Sequence, residues 1–199
     1  MESYKRLKPK EGLMRIFWAV VALCLSIGMI LAASCGKDTT RARNLMKDAD
    51  EAWQVSLAQM EGIVEAQVML VMTAVSGKTE HIQPEKFSDL TERIMSLIGQ
   101  LQKVAAKYQK MEKTSGVDEY EKYASLMNDA VEAHIVCAEL IKGFFDRLQP
   151  FFQKKDAVGL TEEINRLDEE FEQIENARNK ANSLLKKAAE YRREKNLGG

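Results

Sequence analysis

Residues 84–113 read PEKFSDLTERIMSLIGQLQKVAAKYQKMEK, the most regular stretch of this chain. Phe87, Leu90, Ile94, Leu97, Leu101, Val104, Tyr108 and Met111 recur at alternating spacings of three and four. At 3.6 residues per turn such spacing lines one side of a helix with apolar groups, in the manner of a coiled-coil seam. Fully burying one Leu-sized side chain is worth ~1.5–3 kcal/mol, so a stripe of this length needs a covering face. The rest of the chain has to supply it.

On either side the same period returns. Toward the amino terminus a helix is predicted from about Thr39 to Val75. Its stripe is Ala42, Leu45, Met46, Ala49, Trp53, Leu57, Met60, Ile63, Val64, Val68, Val71 and Val75. SGKTEHIQP (Ser76–Pro84) separates it from the central stretch: Gly77 suits a helix end and Pro84 the first turn of the next. After the turn TSGVD, Ser115 is placed to cap a third helix, with Asp118 in the capping-box position. That helix should bury Tyr120, Tyr123, Met127, Ala130, Val131, His134, Ala138, Ile141, Phe145 and Leu148, and Pro150 should end or kink it near Gln149. A fourth is predicted from near Leu160, with Leu160, Ile164, Leu167, Phe171, Ile174, Ala181, Leu185 and Ala188 as its stripe.

Four long helices joined by short gaps predict an all-α fold, an up-down-up-down antiparallel four-helix bundle. It should fold alone as a monomer; the alternative use of the heptad seam is an intermolecular coiled coil. Composition agrees, with 30% charged residues, 45% hydrophobic ones and only 3 Pro in 199 residues. Net charge is −1, and residues 35–199 carry 24 basic against 28 acidic side chains. Such a balance argues against nucleic acid, which needs clustered Lys and Arg.

Before the bundle stands a different kind of segment. Five basic residues (Lys5, Arg6, Lys8, Lys10, Arg15) precede Ile16–Ala33, IFWAVVALCLSIGMILAA, which carries no charge. This is the basic-then-apolar order of an export signal. As a helix the run would reach about 27 Å, just short of the ~30 Å hydrocarbon core, so a retained anchor helix has nearly the length it needs. Three small residues, Ala32, Ala33 and Ser34, then lead into Cys35 and Gly36. LAASC resembles the lipobox of bacterial lipoproteins, with Ala32 where Leu, Val or Ile is usual. The resemblance implies that the Cys35 sulfur receives a diacylglyceryl group and that residues 1–34 are removed. It covers about the first 36 residues and implies nothing about fold. Met14 offers an internal start that would give a signal of more usual length. The expected organisation is residues 1–34 as signal peptide or uncleaved anchor, and residues 35–199 as a helical domain outside the cytoplasm, in the periplasm or at the cell surface.

His134 occupies a stripe position and reads as a hydrogen-bonded core residue. Haem attachment would need CxxCH, which the sequence lacks, and a di-iron centre would need ExxH pairs, whereas Lys78 and Val131 precede the two histidines by three. No cysteine pair has zinc spacing, so no metal or other cofactor is expected. Cys137, one turn beyond His134, reads as a buried thiol. Glu162, Glu163, Asp168, Glu170 and Glu172 read as a solvated face with i, i+4 partners. VMLVM (Val68–Met72) is apolar all round its helix, and Phe144, Phe145, Phe151 and Phe152 come to the same end of the bundle. Met69, Met72, Phe151 and Phe152 are therefore candidates for a partner-docking tip, or else plugs for the open end.

The resulting expectation is a non-enzymatic protein, anchored to membrane lipid through Cys35 and acting by protein–protein contacts. The competing expectation is an extracytoplasmic small-molecule sensor or carrier, with its site between the helices near His134. An enzyme ranks last, since no nucleophile–base set stands out.

Overall fold

Each predicted stripe finds its helix in the computed structural model, which describes residues 39–75, 84–154, 159, 162–163, 166 and 168–197. The elements are α1 (Thr40–Val75), α2 (Pro84–Thr114), α3 (Asp118–Gln153) and α4 (Asp168–Glu194), with no strand among the described residues. Residues 1–34, Cys35 and the predicted gap 76–83 lie outside those residues, as do the side chains of Val71, Val75 and Phe152 and the predicted stripe positions Leu160, Ile164 and Leu167.

Cross-links between helices fix their directions. Asp48 of α1 bonds Lys107 of α2, while Gly62, further along α1, meets Arg93, further back on α2. The two helices are therefore antiparallel. Phe87 and Tyr108 of α2 meet Phe145 and Tyr123 of α3, also in reversed order. Between α3 and α4 the pairs are Tyr123–Arg192 and Phe144–Phe171, reversed again. The chain runs up, down, up, down. The start of α1, the Ser115 turn and the end of α4 share one end of the four-helix bundle. The ends of α1 and α3 share the other, some 50 Å away at ~1.5 Å per residue.

All eight seam residues of α2 are buried within the single chain, at 0–2% exposure. The heptad pattern thus serves an intramolecular core. The ten positions predicted for α3 are likewise all buried. In α1 burial is uneven: Ala42, Met46, Ala49, Trp53 and Leu57 are buried, but beyond them Met60, Val64 and Val68 are only half-buried and Ile63 alone is fully covered among the described side chains. The backbones of α1 and α4 scarcely approach one another, whereas α3 packs closely against both α2 and α4.

Two helix ends differ from the sequence prediction. The Ser115/Asp118 capping box is replaced by a shifted cap, since α3 starts at Asp118 itself. Glu121 reaches back, accepting from the Gly116 N–H at 3.1 Å and the Ser115 hydroxyl at 3.3 Å, while Ser115 Oγ accepts from the Val117 N–H at 3.4 Å. Gly116 sits at φ +70°, the left-handed geometry that closes a helix and favours glycine. Pro150 does not end α3 at Gln149; the helix runs one turn further, and the Lys154 N–H donates to the Pro150 carbonyl at 3.1 Å. Pro150 removes only the bond to the Asp146 carbonyl, and both residues are exposed, so water can satisfy that oxygen. At the end of α4, Asn196 takes φ +51°, its N–H bonds the Arg193 carbonyl, and the Leu197 N–H bonds that of Arg192. This is a Schellman cap with Leu197 buried beside it.

Candidate functional site

Asp50 lies beside Ala49 on the inward side of α1, one place off the apolar stripe, and it reaches all three other helices. Its Oδ1 accepts from the Tyr108 hydroxyl at 2.7 Å and from the Tyr123 hydroxyl at 3.0 Å; its Oδ2 accepts from Arg192 Nη1 at 2.8 Å. The two tyrosine rings meet edge to face at 6.3 Å, and the guanidinium lies 5.7 Å from the Tyr123 centroid. Burial raises the Asp50 carboxyl above its ordinary range, against the opposing pull of Tyr108, Arg192 and Tyr123. Burial, with Asp50 beside them, also raises both tyrosine hydroxyls. Both carboxylate oxygens are engaged, and every donor is itself part of the packing. The cluster acts as a clasp across four helices at the end that holds the Ser115 turn.

About three turns along α3 from Tyr123, His134 is 4% exposed and its ring meets Trp53 edge to face at 5.1 Å. Its Nδ1 lies 2.7 Å from the Ala130 carbonyl, so the donating tautomer carries its proton there. Burial lowers its pKa, and the ring is neutral near pH 7. The site sketched between the helices near His134 is thus occupied on one side by the Trp53 ring. Cys137 is a free, buried thiol, pushed up to about 11 by burial although Arg178 pulls the other way. Its Sγ points to the Ile174 carbonyl at 4.0 Å. A thiol held that high is almost wholly protonated at neutral pH and so a poor nucleophile.

The acids of the predicted fourth helix divide between the stretch before α4 and α4 itself. Glu162 and Glu163 pair with Arg166 within their own stretch, at 4.0 and 3.7 Å. Glu170 instead crosses to Arg147 and ties α4 to α3. Among the described residues no cluster of three or more His, Cys, Asp or Glu could hold a metal ion, and no helix is long and apolar enough to cross a membrane.

At the far end, Met69 is 68% and Met72 49% exposed. Phe151 is half-buried. Phe144 and Phe145, which the sequence brings to the same end, are core residues at 1% exposure. They close it together with Phe87 and Phe171, with centroids 4.7–5.3 Å apart. Met69, Met72 and Phe151 lie at the ends of two parallel helices, and Met69 and Met72 remain the more open.

Sequence reasoning missed the Asp50 clasp. Tyr108 and Tyr123 appeared as apolar stripe positions, and Arg192 was not singled out at all. An acid next to a stripe whose partner helices carry two tyrosines at one level was the available signal.

The chain matches no protein-family model, no curated protein and no solved structure.

Proposed function

We propose that this protein is a non-enzymatic lipoprotein, held to a membrane through lipid on Cys35, whose helical bundle works outside the cytoplasm by binding another protein. The anchoring half of this reading rests on the charge-free run Ile16–Ala33 and the small residues before Cys35. One observation carries the contact half: the apolar surface of α1 outruns the core, leaving Met69 and Met72 exposed at the end opposite the clasp. Methionine adapts to different partner shapes, and apolar side chains exposed side by side mark contact surfaces where scattered ones do not.

Crosslinking of the full chain in its native membrane, followed by capture, tests the contact half. Met69→Asp with Met72→Asp should abolish capture of the bound protein and leave helicity unchanged. Undiminished capture by that variant would contradict the proposed surface.

A further inference from the structure

We propose that the outer side of α1 binds a second copy of this chain, with the two α1 helices antiparallel. The proposal makes the contact reading above more specific by naming the partner. Besides its core stripe, α1 carries a second series at alternating spacings of three and four: Val55, Ala58, Gly62, Glu65, Met69 and Met72. Val55 is 62%, Met69 68% and Met72 49% exposed, Ala58 and Glu65 are exposed, and Gly62 is half-buried. An exposed seam of this period is one half of a helix pair.

Charge selects the occupant and its direction. Residues 58–75 hold two acids, Glu61 and Glu65, and no base, so a like helix laid parallel would set Glu65 against Glu65. Antiparallel pairing centred between Ile63 and Val64 removes that clash. Val55 then faces Met72 of the second copy, Ala58 faces its Met69, and Gly62 faces its Glu65. At Gly62 a cation is waiting: Nη2 of Arg93, from α2, lies 3.1 Å from the point where a Cβ would stand. Its present partner Asp89 is 3.9 Å away, and the Arg93 side chain is 44% exposed. Glycine therefore leaves space for both the guanidinium and the incoming carboxylate. Twofold symmetry forms this Arg93–Glu65 contact twice, on either side of a seam about 26 Å long.

The full chain in detergent micelles, its protein mass followed by light scattering across a dilution series, should be a dimer. Glu65→Arg and Arg93→Glu should each weaken self-association by on the order of ten-fold or more, since each sets like charges together. The double variant Glu65→Arg/Arg93→Glu should restore it, a recovery that misfolding could not produce. A chain monomeric at every concentration would overturn the proposal, as would a dimer indifferent to both single reversals. A monomer that still captures another protein through Met69 and Met72 would overturn self-docking and leave the contact reading standing.

Discussion

Asp50 draws together side chains 58, 73 and 142 positions away in sequence. Removing it leaves two tyrosine hydroxyls and a guanidinium without their acceptor. Asp50→Ala should therefore cost ~2 kcal/mol by denaturant unfolding, within the usual range for leaving partly buried donors without an acceptor. Because burial raises the Asp50 pKa, the folded protein keeps its proton to higher pH than the unfolded chain does. Its contribution to stability is accordingly greatest in acid and is lost as pH rises through the raised value. Asp50→Asn, which resembles the protonated acid, should thus lose clearly less than Asp50→Ala. His134 has the opposite linkage. Unfolded, its ring protonates near the ordinary 6.5; folded, burial holds protonation to lower pH. Stability should fall as pH drops below that ordinary value, by up to about 1.4 kcal/mol per pH unit, and His134→Gln should remove this slope. Melts of both proteins between about pH 7 and 5 check it.

At the scale of elements, apolar spacing carried most of the information. The α2 seam and the α3 stripe were readable because every one of their positions is buried, so tertiary packing and local pattern agree. Ends were harder. Asp118 has the right spacing from Ser115 for a capping box, yet Glu121 supplies the carboxylate because Gly116 turns the chain through φ +70° first. Pro150 stays helical because the bond it forfeits lies on an exposed side. Neither fact is local enough to read from residue type. Nothing would crowd a Cβ at Gly116, so Gly116→Ala isolates the backbone strain and should cost about 1 kcal/mol. The uneven burial of α1 was hidden as well, since its stripe is as apolar after Leu57 as before it. Hydrogen exchange at dilutions that separate copies should register the difference: amides of residues 58–75 should exchange faster than those of residues 42–57, because fewer buried contacts hold them.

For the whole molecule, the bundle is clasped at one end by Asp50 and closed at the other by Phe87, Phe144, Phe145 and Phe171. Its core is complete within one chain, so dilution that separates associated copies should leave helicity intact. On the function proposed above, Cys35 and the segment before it would attach the bundle to a membrane and place it outside the cytoplasm. The most direct measurement is the intact mass of the protein extracted from its native membrane. A lipid-anchored product should begin at Cys35, carry the added mass of its lipid and contain nothing of residues 1–34. A membrane-bound chain in which Met1 or Met14 is still joined to Cys35 would contradict the lipoprotein reading.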